Sequence, residues 1–91
     1  MNVYDYLGEG AANGKHLKHL AYLMDVDTRT LRVMIANERK RGIPILSDNT
    51  NGYFMPANRH ERDNCVRSLR HRAKEIMAAA DGIEKAANKE E

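Results

Sequence analysis

The feature that most limits the fold is a broken helical rhythm that begins at Lys15 and runs to residue 42. Leu17, Leu20, Ala21 and Met24 fall at i, i+3, i+4 and i+7, one face of a 3.6-residue helix. Lys15, Lys18, His19 and Tyr22 take other positions, and Leu23 lies at the edge of the apolar stripe. Asp25-Val26-Asp27 then interrupts the pattern. Aspartate tolerates the left-handed backbone that a tight turn needs, and Val26 can plug the corner between two helices. Asp27 is a good N-cap for a second helix opening at Thr28. In that helix Leu31, Met34 and Ile35 form the buried stripe, while Arg29, Thr30, Arg32, Val33, Asn37 and Lys40 can point outward. Gly42 is a natural stop and Pro44 prevents continuation. The run Arg39-Lys40-Arg41 complements the negative end of the helix dipole. Two helices crossing steeply through a short turn need a shared apolar corner. Leu20, Ala21, Met24, Val26, Leu31 and Met34 supply one.

The flanking segments complete the expected architecture. Val3 to Leu7 is apolar-rich and reads as a brief helix or a strand; its length does not decide between them. Gly8 to Gly14 reads as a loop. Residues 43–47 (IPILS) suit a strand, with Pro44 near its start. Asp48 to Gly52 is rich in turn formers, and Tyr53-Phe54-Met55 is the return strand, closed by Pro56. The result is a hairpin with a loop of about five residues. From about Arg59 to about Lys85 the chain is helical again. Val66, Leu69, Ala73, Ile76, Ala80, Ile83 and Ala87 alternate spacings of 3 and 4, a heptad seam. Gly82 weakens its far end by about 1 kcal/mol relative to alanine, and the final polar residues are expected to fray. The expected fold is mainly α with a two-stranded β-wing and a long C-terminal helix. Residues 1–58 form the first part and residues 59–91 the second.

Charge is segregated along the chain. The net charge of +2 conceals two basic segments. Residues 15–42 carry seven Lys/Arg against three acids, and residues 59–74 carry six against two. Residues 75–91 carry two Lys against five acids. Two basic segments in an otherwise acidic chain suit either a polyanion partner or a solvated helix face. No apolar run approaches the roughly 20 residues that span a bilayer. The N-terminus lacks the basic region of a signal peptide. Cys65, the one cysteine, fits a reducing cytoplasm.

Leu17 to Pro56 resembles the N-terminal winged helix domain of biotin-repressor-type regulators. It resembles still more the short helix-turn-helix proteins of prophages in Gram-positive bacteria. The likeness rests on the L-A-x-x-M corner (Leu20 to Met24), the T-R-T-L opening (Thr28 to Leu31), the R-G-I-P-I-L step (Arg41 to Leu46) and the G-Y-F-M-P return strand (Gly52 to Pro56). Arg67 to Ala73 (R-S-L-R-x-R-A) is also typical of the prophage group. The resemblance implies a winged helix-turn-helix that binds double-stranded DNA as a transcriptional or phage-type regulator. By it, Thr28, Arg29, Thr30, Arg32, Val33 and Asn37 face DNA and the hairpin loop is the wing. Arg29 and Arg32 suit base or phosphate contacts, because arginine bonds guanine edges bidentately. Asn37 suits adenine or phosphate; Thr28 and Thr30 suit phosphate or thymine methyls. Lys40, Lys15 and Lys18 suit backbone phosphates, and Asn49, Thr50 and Asn51 can donate neutral hydrogen bonds.

Three departures accompany the resemblance. Asp25 replaces the usual turn glycine. Glu38 stands where such families place Leu or Ala, so it is expected to meet an arginine or lie at the core rim. The wing has no Lys or Arg and includes Asp48, so its grip on phosphate is weak.

Other chemistry finds little support. His16, His19, His60, Cys65 and His71 match no zinc spacing, and Cys65 beside Val66 reads as a packing thiol. Gly8-Glu9-Gly10 lacks the rest of a phosphate-loop fingerprint. No nucleophile-base-acid set stands out, so neither an enzyme nor a cofactor is expected. The alternative reading is a winged helix that docks proteins, suited by the neutral wing and acidic tail. An RNA-binding role ranks third, since no aromatic stacking platform is visible. The C-terminal helix either folds back on its own domain or pairs with a second copy through Val66, Leu69, Ala73, Ile76, Ala80 and Ile83. The strict 3-4 spacing favours pairing into a homodimer.

Overall fold

The break at residue 25 is a sharp corner. Asp25 takes the left-handed conformation (φ 55°, ψ 46°), the one non-glycine residue with positive φ among those described. It ends helix α1, Leu17–Met24. Helix α2, Thr28–Lys40, begins three residues later. Asp27 caps it, its Oδ1 accepting the Thr30 N–H at 2.6 Å, and Gly42 (φ 92°) follows its end. The computed structural model, which describes residues 1–89, continues with strands β1, Leu46–Asp48, and β2, Gly52–Phe54, and with helix α3, Arg59–Lys89. The chain is therefore mainly helical, with a two-stranded antiparallel sheet and a long C-terminal helix.

Ahead of α1 lie two short 3₁₀ turns, Val3–Tyr6 and Ala11–Asn13. The first settles the helix-or-strand choice for the N-terminus, and the second sits inside the expected loop. The hairpin pairs Leu46 with Phe54, Ser47 with Tyr53 and Asp48 with Gly52, so only residues 49–51 connect the strands. Both strands lie one to three residues from their expected bounds. An Ile45 N–H to Ile43 carbonyl bond of 2.9 Å closes a tight turn over Pro44 and delays β1 to Leu46.

The sequence pattern places Lys15 at the start of the first helix, but the helix begins at Leu17 and Lys15 is not helical. Its N–H and carbonyl exchange hydrogen bonds with Tyr53 at 2.9 and 2.8 Å, adding a third rung beside β2. Backbone approaches backbone so closely here that glycine is required twice. A Cβ on Gly52 (φ 81°) would collide with the Lys15 carbonyl, and one on Gly14 with the Asn51 carbonyl.

Strand alternation sends the hairpin's apolar residues to two sides. Val3, Leu20, Ala21, Met24, Leu31, Ile35 and Ile45 form the larger cluster, with Val26, Met34 and Tyr53 against it. Leu46 and Phe54 face the other way and close over Cys65 of α3. Cys65 is thus the packing thiol that its apolar neighbourhood implied. Beyond it α3 projects, and the molecule is 53 Å long against 30 and 25 Å across. The helix runs past the expected end near Lys85; the fraying expected of the last polar residues falls beyond those described.

Glu38 corrects an expectation. It is buried rather than at the core rim, and its partners are backbone amides rather than an arginine. Its Oε2 accepts the Val3 N–H at 2.8 Å and its Oε1 the Tyr4 N–H at 3.2 Å. A 3₁₀ turn of four residues leaves its first amides unbonded, and Glu38 reaches across from α2 to satisfy two of them.

Candidate nucleic-acid interface

Helix α2 is held from one side and open on the other. Leu31, Ile35 and Glu38 are buried. Arg29, Thr30, Arg32, Val33, Asn37 and Lys40 are exposed, Val33 at 55%, and Thr28 is half-buried. Among the described residues no ion pair or side-chain hydrogen bond engages Arg29 or Arg32. Two guanidinium groups thus project from the first two turns of a helix whose opposite face is fixed in the core. Hydrogen bonding to the Thr30 N–H holds the Asp27 carboxyl below the usual aspartate range, so the cap is ionised at neutral pH. The Thr28 and Arg29 amides of the first turn have no acceptor among the described residues.

Arg39 behaves differently from its neighbours in the basic run. Its Nε donates to the Ile45 carbonyl at 2.7 Å and its Nη2 to Ser47 Oγ at 3.1 Å. It tethers β1 to the end of α2 and is partly buried. Sequence reasoning assigned it only a dipole role; nothing in its spacing signalled the tether.

The hairpin loop is organised by Asp48. Its Oδ1 accepts the Thr50 N–H at 2.9 Å and the Asn51 N–H at 2.6 Å, and both its oxygens accept from Asn51 Nδ2 at 3.1 and 3.0 Å. Bonding to Asn51, first through the side chain and then the backbone, lowers the Asp48 pKa. The Asn51 amide is therefore committed inside the loop, whereas Asn49 and Thr50 keep exposed side chains. Lys18 is exposed on α1, but Lys15 sits half-buried in the sheet rung.

Glu61 joins α3 to the rest. Asn58 caps the helix by accepting the Glu61 N–H at 2.9 Å. Glu61 in turn accepts the Ala57 N–H at 2.9 Å and the Ala11 N–H at 3.0 Å, which lowers its pKa. The Asn-x-x-Glu spacing signals the Asn58 cap, but Glu61 bonds Ala57 and Ala11 instead of the Asn58 N–H that a capping box uses. Between α3 and the hairpin runs an open groove of about 600 Å³, flanked by His16, Asp48, Glu61 and Arg72.

Among the described residues no group of three His, Cys, Asp or Glu side chains gathers to hold a metal ion, and no helix is long and apolar enough to cross a membrane. No family model matches the chain, and no curated protein or solved structure matches it either.

Proposed function

We propose that the chain is a winged helix-turn-helix protein that reads double-stranded DNA with α2 in the major groove, as a transcriptional or phage-type regulator. The observation that carries this reading is the pair Arg29 and Arg32, exposed and free of intramolecular partners among the described residues, on a helix anchored by Leu31, Ile35 and Glu38. An arginine fork on a fixed axis matches the acceptor pair of a guanine edge. Thr30 and Val33 share the open surface and suit phosphate and thymine-methyl contacts. Asn37 and Lys40 extend it, and Lys18 on α1 suits a flanking phosphate. The hairpin is the wing, and with Asn51 engaged by Asp48 it contributes through Asn49 and Thr50 alone. Two copies act together, joined through the apolar seam of α3, as suits a palindromic site.

The internally bonded, cation-free loop favours one other reading, a winged helix that docks another protein. A gel shift with mixed duplex at low and high salt separates the two. DNA binding falls steeply with salt because bound counterions are released. Arg29→Ala and Arg32→Ala each weaken duplex binding about 10- to 100-fold, the range of one bidentate base contact, and leave the circular dichroism spectrum intact. Absence of binding at low salt favours the docking module. Unchanged affinity in both variants removes α2 as the reader.

A further inference from the structure

Among the described residues, the long helix past Cys65 has a face without a partner. Val66 and Leu69 are 38% exposed, Ile76 63% and Ile83 74%. The line of α3 that faces the hairpin is a different one, running through Glu61, Cys65, Ser68 and Arg72. At 100° per residue the seam lies about a quarter-turn round from it. A second helix can therefore lie along the seam without displacing the packed domain.

Charge selects the direction of that second helix. Within the described helix, residues 59–74 carry six Lys/Arg against two acids, and residues 75–89 carry two Lys against three acids. Parallel helices would set like halves side by side. Reversed helices set each basic half beside an acidic one. The heptad frame gives the same answer at single residues. With Val66, Ala73, Ala80 and Ala87 at a, and Leu69, Ile76 and Ile83 at d, the e positions are Arg70, Met77 and Glu84. Parallel strands bring e beside g of the partner. That sets Arg70 by Cys65 and Arg72 by Met77, with no ion pair. Antiparallel strands bring e beside e. That sets Arg70 of each copy by Glu84 of the other, and Met77 by Met77. Antiparallel packing layers each a position on a d position of the partner, and the apolar layers are then Leu69 on Ala87, Ala73 on Ile83 and Ile76 on Ala80, with the two-fold axis passing between the last layer and its mate.

We infer that α3 pairs antiparallel with α3 of a second copy, with two Arg70–Glu84 ion pairs fixing the direction. This rests on the pairing proposed above and adds its orientation. It also sets a spacing. Leu69 of one copy lies opposite Ala87 of the other, so Val66 of each copy, where the packed domain ends, lies about 36 Å from its mate at 1.5 Å per residue. Half-sites one helical turn apart on DNA are about 34 Å apart.

Sedimentation of the full chain tests the charge lock. Arg70→Glu and Glu84→Arg each turn two attractive pairs into repulsive ones and raise the dimer dissociation constant about tenfold. An equimolar mixture of the two variants recovers wild-type affinity, because every facing pair is again opposite in sign, and so does the double variant. Single variants that dimerise like wild type overturn the orientation. Cross-linking gives a second measure in a Cys65→Ser background. Oxidation links Leu69→Cys chains to Ala87→Cys chains in a mixture, whereas self-linking of Leu69→Cys alone means parallel helices and overturns the proposal. A wild-type chain that stays monomeric at hundreds of micromolar overturns the pairing itself, and is told apart from a dimer of the wrong direction by mass alone.

Discussion

The stretch from Val3 to Cys65 and the stretch from Val66 to Ala87 solve opposite problems. Apart from α2 and the start of α3, the first is built of pieces too short to hold themselves: two 3₁₀ turns, an eight-residue helix and strands of three residues. Carboxylates clamp them. Glu38 holds the amides of Val3 and Tyr4, Glu61 those of Ala57 and Ala11, and Asp48 those of Thr50 and Asn51. The second stretch is one unbroken helix with no buried residue. Its acids Glu75, Asp81 and Glu84 engage nothing among the described residues. A helix without tertiary contacts is marginal in water. The difference teaches that the first region is complete in itself, whereas the second presents an apolar line suited to another helix.

The sharpest way to break this comparison is to remove the same kind of side chain from each region. Leu31 is fully buried between α1 and α2. Leu31→Ala lowers the unfolding free energy by about 3 kcal/mol, the usual cost of a buried leucine truncated to alanine. Ile76 lies at the middle of the exposed seam, and in dilute protein Ile76→Ala changes stability by less than about 0.5 kcal/mol. Urea titration below the dimer dissociation constant measures both. Equal losses would mean that α3 folds back on its own domain. At high concentration Ile76→Ala should instead weaken association.

Next in size is Glu38. Glu38→Ala leaves two N–H groups at the start of the first 3₁₀ turn without acceptors, and costs about 2 kcal/mol. Glu38→Gln keeps one acceptor oxygen and costs less. Hydrogen exchange supplies the local readout. The Val3 and Tyr4 amides exchange faster in the alanine variant, while the Leu31 amide, bonded to the Asp27 carbonyl at 3.0 Å, changes only with global stability. Undiminished protection at residues 3 and 4 would show that Glu38 is not their clamp.

What could be read from the sequence tracks the range of the forces involved. The corner at Asp25, the Asp27 cap, the Gly42 stop and the hairpin are local, each set by residues within a turn or two, and each was legible. The open side of α2 was legible for the same reason, since periodicity alone separates Arg29 and Arg32 from Leu31 and Ile35. The Glu38 clamp spans 35 residues to Val3, and the Lys15 rung spans 38 to Tyr53. No periodicity encodes such contacts. Glu38 announced itself only as a carboxylate in a buried register, and it meets backbone amides in place of the arginine that such a charge commonly pairs with. Gly14 and Gly52 read as loop formers because the backbones that crowd them are distant in sequence. Whether α3 packed back or projected turned on how far its hairpin-facing line stayed in contact, and that ends at Cys65.

The smallest expected effect is at the junction of the two regions, and pH reaches it. The Glu61 carboxylate accepts the Ala57 and Ala11 amides, which holds its pKa below the ordinary glutamate value of about 4.3. A carboxyl more acidic folded than unfolded contributes its full stabilisation above the unfolded value. That contribution fades as pH falls through the folded value, when a proton occupies an oxygen that had accepted an amide. Stability should be flat from pH 7 to about 5 and decline below about 4, with Asp48 and Asp27 acting in the same direction. Glu61→Gln isolates the junction, because its single carbonyl oxygen accepts at any pH. The difference in urea midpoint between wild type and Glu61→Gln is therefore largest at neutral pH and closes between about pH 5 and pH 3. A difference that stayed constant through that range would mean that the Glu61 charge does not fasten α3 to the Ala11 turn, and that Leu46, Phe54 and Cys65 hold the joint by apolar packing alone.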